Sequence, residues 1–314
     1  MGLVLISSFF FGVFLLSEGI DRSAAWILAI CLFSPAVMFG IERANNDLAV
    51  FCLVSLAAYL YGRFPIPALI CLGLGGVLKL FPFMGFALLF REDRGRRFFR
   101  LAIPCAAFST AYFIWTRDDI RLIGAATPQS TRLSYGAKVV WMAVREHYNA
   151  PLASHAVAAF SYGVVALAMV IAVKLLGRDH RSRDVANKGH LSAFRAGSAI
   201  YLGSFFLTSN WDYRLMFLLM TIPTLSGWAR NRDRLAGRIA VIALPAILFA
   251  CWSLGFRAYL FKLGAPMSVW FVADQFSKWV VFVSLLSAFA CTLPDWVCRP
   301  PLWRAGSCPC PPRP

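Results

Sequence analysis

Between two apolar runs of the chain sits Glu42-Arg43-Ala44-Asn45-Asn46-Asp47, polar at every position except Ala44. Carboxylates, amides and a guanidinium at that density can exchange a proton, hydrogen-bond a ligand or hold an anion. Two other places share the character. Lys79 stands in the apolar run 65–90, and Asn210-Trp211-Asp212-Tyr213-Arg214 opens another. A lone ammonium in apolar surroundings needs an anion, either a phosphate or carboxylate of a ligand or an internal partner such as Glu42 or Asp47. Asp47 or Asn46 could instead cap the helix that follows, which would leave the other polar groups unexplained. Asp212 and Arg214, two apart, belong on different faces of a helix. Asp212 is expected to cap its start and Arg214 to point into the interface or a cavity. Trp211 and Tyr213 suit the headgroup level.

The elements that must position these groups follow from composition. Of 314 residues, 59% are hydrophobic and only 15% charged, against about 25% charged in a soluble domain. Apolar runs recur at 2–17, 24–40, 48–61, 65–90, 99–115, 153–176, 191–208, 215–228, 238–256 and 270–292. Spanning a bilayer core takes about 20 residues, and a lipid-exposed backbone must satisfy its own hydrogen bonds. The expected fold is therefore all-α, a polytopic transmembrane helical bundle of about ten or eleven membrane segments. It would form one integral membrane domain over 1–293, followed by a Pro- and Cys-rich cytoplasmic tail over 294–314. The net charge of +16 fits basic loops held against anionic lipid, and no nucleic-acid partner is implied.

Arginine-rich loops set the orientation. REDRGRRFFR (91–100), KLLGRDHRSRDVANK (174–188) and ARNRDRLAGR (229–238) alternate correctly if all three are cytoplasmic. The loop 116–150, the turn 209–214 and the loop near 257–269 then lie outside. Upstream, the side on which Glu42–Asp47 emerges depends on 65–90. As one helix it would be about 39 Å long, enough to cross with tilt. As two helices its halves of about 21 and 16 Å underspan a roughly 30 Å core. Chemistry favours two. Lys79 would cost about 3 kcal/mol in mid-membrane, and Pro82 cannot donate to the carbonyl of Leu78. A hairpin is expected, with all the polar groups on the outer side.

The outer loop 116–150 is too long for a mere connector, and could cover a cavity or simply float. Its segment KVVWMAVREHY reads as an amphipathic helix lying on the membrane. Arg117, Arg121, Arg132, Lys138 and Arg145 supply anion-binding charge there, and Asp118, Asp119, Glu146 and His147 are acid–base candidates. Cys31, Cys52, Cys71, Cys105 and Cys251 read as small buried hydrophobes. The Cys308-Pro309-Cys310 pair has no second pair at zinc-ligand spacing. Neither a P-loop, a dinucleotide-binding glycine pattern, HExxH nor GxSxG occurs. No cofactor or metal site is read from the chain, and metal dependence stays open.

ERANNDLAVFCLVSLAAYL, followed by a short basic turn, LGLGGVLKLFPFMGFALLF and an arginine cluster, resembles glycosyltransferase family 87, bacterial membrane proteins of the GT-C class. SNWDYRLMFLLMTIPTL is similar to a second block seen in many of its members. The resemblance implies a GT-C-like bundle in the bacterial plasma membrane. It also implies transfer of a mannose-like hexose from a polyprenyl-phosphate donor to a lipid or glycan acceptor on the outer face. Carried onto this chain, Lys79 and Arg214, with Arg43 third, would hold the carrier phosphate. Asp47 would be the catalytic acid–base group. Asn45 and Asn46 would orient sugar hydroxyls, with Glu42, Asp212 and Tyr213 also binding substrate. Enzymes of this class carry a catalytic Asp in the first outer loop, and no such loop precedes Glu42–Asp47. The chain is therefore expected to be short at its N-terminus by about two helices and a loop, or to be a non-catalytic relative. A transporter or lipid flippase is the competing reading, since broken helices with polar groups at mid-membrane also mark transporters.

Overall fold

The computed structural model describes residues 1–92, 94–126, 130–148, 151–176, 187–207, 209–264 and 266–298. The basic segment 177–186 and Cys308-Pro309-Cys310 lie outside the described residues. In chain order the elements are α1 (Gly2–Ser17), α2 (Arg22–Leu32), α3 (Pro35–Glu42), α4 (Asp47–Leu60), α5 (Pro65–Leu78), a 3₁₀ segment η1 (Phe81–Arg91) and α6 (Gly95–Trp115). Next come α7 (Arg117–Ala126), β1 (Ser134–Tyr135), α8 (Val139–Tyr148), α9 (Pro151–Leu175) and α10 (Lys188–Leu207). The chain continues through β2 (Asn210–Trp211), a second 3₁₀ segment η2 (Asp212–Thr221), α11 (Ile222–Ala229), α12 (Leu235–Lys262), α13 (Met267–Cys291) and the short α14 (Asp295–Cys298). The protein is an all-α polytopic bundle; among the described residues its one small sheet is the antiparallel pair Ser134↔Trp211 and Tyr135↔Asn210.

Among the described residues, α6, α9, α12 and α13 are long and apolar enough to cross a membrane, and α2 with α3, bent by 56°, could form a fifth, broken span. That is fewer than the ten or eleven membrane segments expected from hydropathy. Much of the shortfall is length: α1, α4, α5 and η1, at 16, 14, 14 and 11 residues, are only about 21–24 Å long against a core of about 30 Å. Helices that short are tolerated at membrane depth when protein or a polar cavity surrounds their ends. The core agrees, with Leu48, Phe51, Val54, Leu72, Phe217 and Leu218 all essentially buried.

Residues 65–90 are broken, as the chemistry required. The α5 helix ends at Leu78, Lys79 is extended, and η1 begins at Phe81 with Pro82 in its first turn. The second arm folds back along the first: a methyl on Gly85 would meet Leu72 Cδ2 at 2.9 Å, and one on Gly76 would meet the Phe83 ring at 2.2 Å. The 3₁₀ winding resolves the length mismatch. At about 2.0 Å per residue η1 spans about 22 Å instead of the 16 Å of an α-helix, and so matches α5.

Two ends of the bundle can be told apart by contacts. At one, the Tyr61 hydroxyl donates to Glu92 Oε1 at 2.8 Å, Arg97 pairs with Glu92 at 3.1 Å and Asp21 pairs with Arg230. His190 Nε2 lies 2.9 Å from the Glu18 carbonyl oxygen there. This end holds the described parts of the arginine loops. At the other end lie Gly2 beside Ala44, the Lys79 tip of the hairpin, and Tyr112, whose hydroxyl donates to Val77 O at 2.9 Å. The turn 209–214 and the loop 130–138 complete it. Each end thus gathers the groups expected on one side.

The outer loop does not float. Its 134–135 strand is buried and paired, the Ala137 amide donates to Phe205 O at 2.8 Å, and the Asp212 amide donates to Leu133 O at 3.0 Å. The amphipathic α8 helix packs on α9 and buries Val139 and Ala143. In the same loop α7 is more exposed, with Leu122 and Ile123 at its surface.

Two outcomes check this arrangement. In sealed vesicles and a cysteine-replaced background, Glu42→Cys and Arg96→Cys should react with an impermeant thiol reagent from opposite faces, never from the same one. A methyl on Gly197 would meet Met220 Cβ and Phe217 O, both at 2.8 Å, where α10 touches η2. Gly197→Ala should therefore lower stability by about 1–3 kcal/mol in a detergent thermal melt. Gly163→Ala, with nothing within 4 Å, should not.

Candidate functional site

The turn between α3 and α4 is tight because Ala44 takes a left-handed conformation, φ 43°, which costs a non-glycine residue about 1–2 kcal/mol. Its amide donates to Ile41 O at 2.9 Å, ending α3. Asn45 Oδ1 then accepts from the Asp47 amide at 3.2 Å. The carboxylate of Asp47, at the first turn of α4, is directed inward with no solvent exposure. Neither expected cap forms. Asn46 is the capping residue by position but makes no side-chain cap bond, and the Asp47 side chain is committed to cations.

Those cations come from distant parts of the chain. Arg214 Nε lies 3.3 Å from Asp47 Oδ2, and Lys79 Nζ lies 3.7 Å from Asp47 Oδ1, with Arg214 and Lys79 20% and 30% exposed. Of the two internal partners considered for Lys79, Asp47 is the one found. Arg214 also donates through Nη1 to Asn210 Oδ1 at 2.5 Å, and Asn210 Nδ2 donates to Ser204 O at 2.7 Å. The guanidinium rests 4.8 Å from the Phe81 ring centroid at the start of η1. One buried carboxylate and two partly exposed cations leave a net charge of +1. The uncompensated positive charge is partly open to solvent, and a site of that charge can receive an anion.

The other expected residues fall around this pair. Arg43 lies over the rings of Phe39 at 4.2 Å and Trp211 at 5.4 Å, held by cation–π contact beside the turn. Glu42 and Asn46 are exposed at the rim. Tyr213, expected at headgroup level, is buried and set against Phe39, ring centroids 6.1 Å apart. Of the outer-loop candidates, Asp118 pairs with Arg121 on exposed α7, and Glu146 accepts from Thr131 at 3.0 Å. The side chain of His147 lies outside the described residues. Two clefts, of about 440 and 310 Å³, open at the arginine-loop end and share no residue with the Asp47 site.

Asp212 needs correction. It does not cap a helix. It is buried and paired with Lys278 Nζ at 2.7 Å, and Lys278 also meets Asp274 Oδ2 at 2.8 Å one turn away on α13. Lys278 further donates to Ser134 O at 3.3 Å, and Gln275 Nε2 donates to the same carbonyl at 3.0 Å. This wholly buried cluster ties α13, β1 and the start of η2 together, two residues from Arg214. The burial of Asp212 follows from the alternation noted in sequence: Asp212 and Arg214 do point apart, one to each cluster. Lys278 and Asp274 were missed because the run 270–292 reads as one apolar span. Their signal was available, since Asp, Gln and Lys at 274, 275 and 278 lie on one face of an otherwise apolar helix. Lys278→Met strands two buried carboxylates. It should cost about 3–5 kcal/mol by denaturant or thermal unfolding. Adding Asp274→Asn and Asp212→Asn should recover much of that loss.

No curated protein and no solved structure matches the chain. The profile of glycosyltransferase family 87 matches residues 3–194, more than half of the chain. That span carries the Glu42–Asp47 turn and Lys79; the Asn210–Arg214 block lies beyond it. A multi-pass bundle with this match is a membrane glycosyltransferase by family, and the chain belongs to glycosyltransferase family 87.

Proposed function

We propose that the protein moves a hexose from a polyprenyl-phosphate carrier to a hydroxyl of a lipid or glycan, at the end of the bundle opposite the arginine loops. The observation that carries this reading is the convergence of Lys79 and Arg214 on Asp47. Three residues far apart in sequence build one cationic, partly accessible site at the end of the bundle away from the arginine loops.

The chemistry follows from the charges. As the bond from the sugar to the carrier breaks, negative charge grows on the departing phosphate. Lys79 and Arg214 are set to meet it, and donors already held in place are worth most where water is scarce. Arg214 offers a planar fork for phosphate oxygens, and Lys79 a mobile point charge on the hairpin tip. Asp47, fully buried between them, is better suited to holding the two cations at a fixed spacing than to leaving them for an acceptor proton. This reading moves Asp47 from the acid–base role expected of it to a positioning one. Arg43, Asn45 and Asn46, on the same turn, are placed to meet sugar hydroxyls. The break at Lys79 lets the prenyl chain approach from the bilayer side, where α5 exposes Leu74, Val77 and Leu78. The site belongs in the plasma membrane with its polar end outward.

The test supplies labelled polyprenyl-phosphate hexoses to membranes carrying the protein and follows label into lipid and glycan fractions. Lys79→Met should lower transfer by at least about 100-fold, the effect of removing one preorganised donor. Arg214→Lys, which keeps the charge but loses the fork, should also be impaired. Asp118→Asn on exposed α7 should leave transfer unchanged. Wild-type rates from Lys79→Met and Arg214→Met would remove the assignment.

A further inference from the structure

The arginine-loop end carries a built cleft that the transferase reading does not use. Its first lobe, about 440 Å³, lies among Asp21, Asn187, His190, Thr224, Arg230 and Asn231. The second, about 310 Å³, is more apolar, with Leu15, Leu16, Ala58 and Tyr59 in its wall. The lobes meet at Gly19, Asn187 and His190, which line both. Each is of the size that holds a small molecule or a headgroup.

Each lobe also has a buried hydroxyl left without a partner. Thr224, 3% exposed, lines the polar lobe, and Ser55, 0% exposed, lines the apolar one; neither Oγ1 of Thr224 nor Oγ of Ser55 has a hydrogen-bond partner among the described residues. Buried polar atoms are rarely left unmade. Both residues stand in the walls of one cleft with a polar and an apolar half, which fits a ligand with both polar and apolar parts.

The charges narrow its class. Arg230 is paired with Asp21, which also accepts from Ser23 Oγ at 2.6 Å and the Ala24 amide at 2.9 Å. A guanidinium has five donors, so Arg230, 61% exposed, keeps N–H groups for a phosphate. Asn231 and Asn187 add amides. On the other side of the cleft stands the exposed carboxylate of Glu18. Among the described residues the lining holds one cation and two carboxylates, which complements a phosphate joined to an ammonium better than a purely anionic group. The apolar lobe runs up along the ends of α1 and α4, where Phe14 and Tyr59 are exposed as a lipid-facing surface would be.

We propose that this cleft binds one phospholipid with a zwitterionic amine headgroup. The phosphate sits against Arg230, Asn231 and Thr224, the ammonium near Glu18, and the first carbons of an acyl chain beside Leu15 and Leu16. Bound there, the lipid bridges α1, α10 and α11 at the face opposite the transfer site.

Native mass spectrometry of the full chain tests this, after exchange into detergent with phosphatidylethanolamine, phosphatidylcholine or phosphatidylglycerol. One phosphatidylethanolamine should survive conditions that strip phosphatidylglycerol, with an apparent affinity at least about tenfold higher. Arg230→Gln should weaken retention about tenfold, the effect of one lost charge-assisted hydrogen bond. Thr224→Leu should block it sterically. Ser55→Leu, in the other lobe, is a second variant should Thr224→Leu fail to fold. Glycerophosphoethanolamine, a soluble headgroup without chains, should compete poorly. Equal retention of all three lipids, retention unaffected by Arg230→Gln, or competition by the soluble headgroup as strong as by the lipid would each overturn the proposal.

Discussion

A carboxylate with no exposure inside an apolar bundle must be met by opposite charge, and Asp47 is that carboxylate at the polar end. An unpaired charge there would cost several kcal/mol, so the fold has to bring cations to it. Lys79 arrives on the tip of a broken hairpin and Arg214 at the start of a second 3₁₀ segment. Much of the irregular backbone lies where it helps to satisfy this one group. The break after Leu78, the strained turn at Ala44 and the tight winding of η2 are all at this end.

The second buried cluster works in the same way on the other face of η2. Lys278 collects Asp212 and Asp274 and, through the Ser134 carbonyl, pins the outer loop to the bundle. One short stretch, Asp212 to Arg214, therefore joins a sealed structural cluster to a partly open cationic one. The residues that pin the loop, Asp212, Asp274 and Lys278, are thus separate from the partly exposed Lys79 and Arg214 around Asp47.

The 3₁₀ segments do more than tighten the chain. By winding at about 2.0 Å per residue they let η1 match α5 in length, and let η2 continued by α11 cover about 32 Å with only 18 residues. An α-helix of the same 18 residues would cover only about 27 Å. The cost is poorer hydrogen-bond geometry, offset here by close burial against α10, where Gly197 lets η2 approach.

The sequence alone determined the class of protein and the location of the problem. Its apolar runs require a helical membrane bundle, and the price of Lys79 and Pro82 in one span predicts the break that is found. These conclusions rest on local quantities: periodicity, segment length, and the cost of one charge or one missing N–H. Only the tertiary structure decided which groups answer each other. Asp47 and Arg214 are 167 positions apart and Lys278 lies 66 beyond Asp212, so nothing in either neighbourhood names its partner. The winding of η1 and η2 was equally hidden, because an apolar run reads the same whether it rises 1.5 or 2.0 Å per residue. A short acid before an apolar run, such as Asp212, usually caps the helix that follows; here a lysine buried on another helix turns it inward.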